Sequence, residues 1–141
     1  MQRGFSLIEL LVVLALVGLS AALITLSWRP AGAAQLDEEA ERLAALLEGA
    51  RAEAQAAGLA VLWVPQPPDA VEPFRFVGLP ARLSPPLRWL HAGVQVRIDG
   101  PVQAVTLGPE PVVGPQRIVL SLNGRAVVVA TDGLGPFRKT P

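Results

Sequence analysis

The chain has 141 residues, with twelve Lys plus Arg, twelve Asp plus Glu and no cysteine. Beyond an apolar N-terminal segment this leaves roughly a hundred residues, enough for one modest folded body. Zero net charge excludes a global field drawing in nucleic acid or an anionic membrane, and the missing cysteines exclude a disulfide framework, a thiolate nucleophile and a Cys-based metal site.

From Leu10 to Trp28 the sequence LLVVLALVGLSAALITLSW carries no charge. As a helix it would be about 28 Å long, close to the hydrocarbon core of a bilayer at ~30 Å. Trp28 suits an interface, and Arg29, Pro30 and Gly32 supply a charge and two helix breakers that end the span. Arg3 and the free amine before the run favour a cytoplasmic N-terminus, a bias that Arg29 on the other flank weakens. Two other readings compete. A buried core helix seldom runs this long without polar residues. A cleaved secretory signal could use Ala31-Gly32-Ala33 as its small-x-small site, but its apolar region would be longer than usual and preceded by the acidic Glu9.

Glu9 alone could be an acid snorkelling at the membrane interface. It stands, however, in Arg3-Gly4-Phe5-Ser6-Leu7-Ile8-Glu9-Leu10-Leu11. That segment resembles the cleavage site of type IV prepilins and type II secretion pseudopilins. The resemblance implies that a membrane peptidase cuts between Gly4 and Phe5 and methylates the new amine of Phe5. A glycine before the cut has no Cβ to keep a protease from the backbone. Glu9 would then act in assembly: in a filament of apolar helices its carboxylate can pair with the Phe5 amine of a neighbour, and misregistered packing would leave it unpaired at a cost.

Asp37 is expected to cap a new helix after the Pro30 to Gly32 break, with Asp37, Glu38, Glu39 and Glu41 crowding its first turns, where the helix dipole favours negative charge. Adjacent acids on a helix point apart, which argues against a metal site. Leu36, Ala40, Leu43, Leu47, Ala50, Ala54 and Ala57 recur at helical spacing and form the face expected to meet a sheet, while Glu38, Arg42, Arg51 and Glu53 lie largely off it. Gly58 is a C-terminal stop. The stretch Arg42 to Leu62, RLAALLEGARAEAQAAGLAVL, resembles the run RLA..L..AR.EA...G..V found in H-type minor pseudopilins of type II secretion and in FimT-like minor pilins.

Short segments rich in β-branched and aromatic residues follow: 60–64, 74–77, 94–98, 102–107, 117–122 and 126–130. Asn123-Gly124 is a two-residue hairpin signal between the last two, and Asp99-Gly100 a turn between two others. The proline-rich stretches 65–73 and 79–90 are expected as loops. In the second, Trp89, Leu90 and His91 could dock a neighbouring subunit, or Trp89 could fold back over its own core.

No enzyme chemistry is expected. His91 is the one histidine, and no nucleophile motif, phosphate-cradling glycine loop or His-rich metal pattern occurs. Catalytic, cofactor-binding and metal residues are all expected to be absent. Asp132-Gly133 followed by Leu-Gly-Pro-Phe offers too few oxygen ligands for calcium.

The resemblance implies an α+β, pilin-like fold in which one long N-terminal helix, half membrane and half amphipathic, packs on a small antiparallel β-sheet domain. It divides the chain into a prepilin leader (1–4), a transmembrane and assembly helix (5–28), a helix break with the amphipathic half (29–58) and a periplasmic β-rich domain (59–141). It implies a minor pseudopilin at or near the tip of a type II secretion pseudopilus, held in the bacterial inner membrane by a single pass. The implied partners are other minor pseudopilins, the major pseudopilin and the prepilin peptidase, with no nucleic acid. The alternative is a minor pilin of a type IV pilus or DNA-uptake system, against which the missing cysteines and zero net charge lean.

Overall fold

The computed structural model describes residues 6–27 and 31–140, with side chains for 6–20 and 32–140. Two compact units result, Met1–Pro30 and Ala31–Pro141. In the first, helix α1 runs over Leu7–Ser27. It starts on Ser6, whose carbonyl accepts the N–H groups of Glu9 (3.0 Å) and Leu10 (3.2 Å). The large apolar side chains from Leu7 to Leu19 are all exposed. Among the described residues no helix is long and apolar enough to cross a membrane, and the expected span continues into residues 21–28, whose side chains lie outside them.

The second unit opens with α2 (Ala31–Ala57). The expected helix start at Asp37 is corrected: α2 begins six residues earlier and runs through Gly32, while Pro30 lies outside the described residues. One interior glycine costs only about 1 kcal/mol, and the extra turns carry Leu36 into the core, where it is 3% exposed. The helix ends as expected at Gly58 (φ 64°). Leu59 N–H donates to Ala54 O (2.8 Å) and Gly58 N–H to Gln55 O (3.4 Å), the paired bonds of a Schellman cap.

Seven strands follow: β1 (Val61–Pro65), β2 (Phe74–Val77), β3 (Gln95–Asp99), β4 (Val105–Gly108), β5 (Gln116–Leu122), β6 (Arg125–Thr131) and β7 (Arg138–Thr140). They form two antiparallel sheets, β2-β1-β4 and β3-β5-β6-β7, which together make up the small antiparallel β domain expected of this α+β fold. Asn123 (φ 51°) and Gly124 (φ 76°) turn β5 into β6 as anticipated. The Asp99-Gly100 turn instead carries the chain from one sheet to the other, since β3 pairs with β5 and β4 with β1. The fourth strand begins three residues later than expected, beyond Pro101, and β7 was unforeseen because Arg-Lys-Thr shows no apolar alternation. The 79–90 stretch is a loop broken by a single 3-10 turn, Ala81–Leu83.

The core lies where α2 meets both sheets. Leu43 and Leu47 on the helix, Trp63 and Phe74 on the first sheet, and Ile118, Leu120 and Val129 on the second are sealed from solvent. Burial of each such side chain contributes about 1.5 to 3 kcal/mol. Leu36, Ala40, Leu43, Leu47, Ala50 and Ala54 face this core as the periodicity requires, whereas Ala57 is exposed. Arg51 corrects the pattern in the other direction: expected off the face, it is 6% exposed.

Candidate functional site

Of the residues expected to serve processing and assembly, Gly4 and Phe5 lie outside the described residues. Glu9 sits in the first turn of α1, exposed and surrounded in sequence by exposed apolar side chains. Among the described residues this carboxylate makes no ion pair. A free amine on an adjacent subunit would meet it with opposite charge.

In the folded body, α2 arranges the polar groups that shape the loops. The expectation that its acids merely offset the helix dipole is corrected by Glu39, which is fully buried. Its Oε1 accepts the backbone N–H of His91 (2.7 Å) and lies 3.2 Å from His91 Nδ1. The other carboxylate oxygen, Oε2, has no hydrogen-bond partner among the described residues and lies 3.9 Å from Arg42 Nη1. Arg42 in turn donates to the carbonyls of Arg88 (2.8 Å) and Pro86 (3.4 Å). Two side chains one helical turn apart thereby hold three backbone groups of the 84–91 loop. Trp89, between them, packs on Phe74 in a tilted contact with centroids 4.8 Å apart, so it covers its own core, and Leu90 stays half exposed.

Arg51 performs the same task at the other end of α2. Its guanidinium donates to Gly135 O (2.9 Å), Pro111 O (3.2 Å) and Gly133 O (3.2 Å), tying two loops to the helix. Glu48 lies 3.7 Å from Arg51 and accepts the N–H of Phe137 (2.8 Å). The planar five-donor fork of arginine suits this convergence of carbonyls, which a lysine ammonium would not reproduce. Arg42 and Arg51 are the two arginines of the RLA..L..AR.EA run, so that run encodes loop fastening together with a core stripe.

The remaining acids go to separate partners. Asp37 (3.3 Å) and Glu41 (3.1 Å) meet Lys139 on β7, and Glu41 first, then Asp37, raises the lysine's pKa above its ordinary value. Asp132 Oδ1 accepts the N–H groups of Gly135 (2.7 Å) and Leu134 (3.0 Å), and these bonds lower its pKa. Gln116 joins the two sheets: its Oε1 accepts Thr106 N–H (2.7 Å) and its Nε2 donates to Thr106 O (2.9 Å). Sequence reasoning missed Glu39, Arg51 and Gln116, since their partners are backbone groups distant along the chain.

Residues 1–25 match the family model described as the prokaryotic N-terminal methylation motif. No curated protein matches the chain. No solved structure matches it either. The motif points to a structural subunit of the type IV pilin-like or pseudopilin kind and away from an enzyme. It implies processing by a prepilin peptidase, assembly into a pilus-like filament and anchoring in the inner membrane through the N-terminus.

Proposed function

We propose that the chain is an H-type minor pseudopilin of a type II secretion system, a packing subunit at or near the tip of the periplasmic pseudopilus that drives folded proteins across the outer membrane. The peptidase cuts between Gly4 and Phe5, and Phe5 is N-methylated. The apolar helix spans the inner membrane once before assembly, with its N-terminus cytoplasmic and the body periplasmic. In the filament Glu9 pairs with the Phe5 amine of a neighbour and fixes the register of the helices. The neighbours are other minor pseudopilins and the major pseudopilin.

The observation that carries this reading is the methylation motif at residues 1–25 ahead of a body built from one amphipathic helix and antiparallel sheets. The RLA..L..AR.EA run, which resembles that of H-type minor pseudopilins, supports the H type, and in this body its two arginines fasten loops. The test is a deletion strain complemented with the full chain. Mature protein should begin at a methylated Phe5 by intact mass, and exported folded enzymes should accumulate in the periplasm when the chain is missing. An intact leader, or a mature start at Ala34 or Gln35, overturns the processing. Normal export with loss of pilus motility or DNA uptake moves the subunit to a type IV pilus.

A further inference from the structure

The second unit is polarised in charge across its layers. In the four-stranded sheet, Ile118, Leu120 and Leu122 of β5 and Val127 and Val129 of β6 are buried against α2. Alternation therefore turns Arg117, Val119 and Ser121 to the opposite face. The register sets Asp99, Arg117, Ala130 and Arg138 in one row across all four strands, and Arg97, Val119, Val128 and Thr140 in the next. Arg97, Arg117 and Arg138 are exposed, while Val119, Val128 and Ala130 are only part-covered. Asp99 pairs with both Arg97 and Arg117, and Arg138 makes no ion pair among the described residues. This outer face thus has an apolar centre, an arginine rim and an excess of positive charge, the make-up of a protein-docking surface.

On the other side of the same layers, α2 carries six carboxylates against two guanidiniums. Both guanidiniums are turned inward to loop carbonyls. Glu38 and Glu41 expose 63% and 69% of their side chains, Glu38 lying 4.0 Å from His91 Nε2 and Glu41 pairing with Lys139 at one edge, and Glu53 is exposed as well. One copy therefore presents a basic sheet face and an acidic helix face directed away from each other.

We propose that the arginine face of the four-stranded sheet docks the acidic outer face of α2 of a second copy of this chain. Such a contact is heterologous, using different patches on the two partners, so it can repeat along a row of subunits. Rim charges of this kind steer and select partners, and they are screened by salt. The pairing concerns the body alone and stands whether or not the subunit serves secretion.

The chain has no cysteine, so a single thiol at Val71, fully exposed in the 65–73 loop, can carry a donor or an acceptor dye. Energy transfer between labelled full-length copies in separate detergent micelles reports self-association. The wild type should associate at low salt and dissociate as salt rises. Arg117→Glu with Arg138→Glu should weaken association by roughly tenfold or more, as should Glu38→Lys with Glu53→Lys. An equimolar mixture of the two double variants should recover transfer, which also shows that both are folded. Absence of wild-type transfer, transfer unaffected by either reversal, or failure of the mixture to recover overturns the proposal. Transfer that survives both reversals assigns association to α1 instead.

Discussion

The backbone N–H of His91 donates to the buried carboxylate of Glu39 across 52 residues of sequence, at 2.7 Å. This bond, with the Arg42 contacts to Pro86 and Arg88, converts a proline-rich stretch into a fixed surface. A charge sealed from water is tolerable here because its partners are a peptide dipole, the imidazole of His91 and a nearby guanidinium.

Glu39→Ala should cost about 1 to 3 kcal/mol, because it leaves a loop N–H without its acceptor in a buried place. Glu39→Gln keeps an acceptor and should cost less. Urea unfolding followed by tryptophan fluorescence gives the stability, and amide exchange at His91 should quicken in the alanine variant alone.

Arg51→Met should cost about 3 kcal/mol, the scale for breaking a buried charged network, since three loop carbonyls lose their donor together. Arg51→Lys should recover only part of this, because one ammonium cannot span the three acceptors. Proteolysis near residues 109–115 and 132–136 should rise in both variants before the global unfolding midpoint moves far. Equal behaviour of lysine and arginine would contradict the assignment of the fork.

Glu9→Leu should be cut and methylated normally, because the peptidase site precedes it, yet its recovery in sheared filaments should fall by roughly tenfold. Gly4→Val should leave an uncut precursor in the membrane fraction, seen as a heavier band. Wild-type filament recovery for Glu9→Leu would remove the pairing role.

The two titrations act at opposite ends of the pH scale. Asp132 is held below its ordinary 3.8 first by the Gly135 N–H and then by the Leu134 N–H. Its contribution to stability is therefore complete above 3.8 and fades as pH falls through the lower folded value. Lys139 is held above its ordinary 10.5, so its contribution is complete below 10.5 and is lost as pH rises through the folded value. Unfolding midpoints measured against pH should show a shallower acid limb for Asp132→Asn and a shallower alkaline limb for Lys139→Met.

Much of this architecture was legible along the chain because it rests on local periodicity. The stripe from Leu36 to Ala54, the Gly58 stop and the Asn123-Gly124 hairpin each declare themselves within a few residues. The helix start was missed because Asp37 looks like a cap in sequence, whereas the burial of Leu36 extends the helix past it. Buried Glu39 and Arg51 were missed because composition assigns charges to the surface, and only the fold brings loop carbonyls and amides to them. The division into two sheets was hidden for a similar reason: pairing partners are set by packing on α2, not by the order of strands.

Gln116 reaches from β5 to the main chain of Thr106 and satisfies both its amide and its carbonyl, the exchange a fourth strand beside β4 would otherwise provide. A carboxamide on a two-carbon stem thus acts as the gauge block between neighbouring ribbons. Asparagine, one methylene shorter, would have to draw the ribbons together or let go, which makes residue 116 a place where the girth of the body is fixed by the reach of one amide.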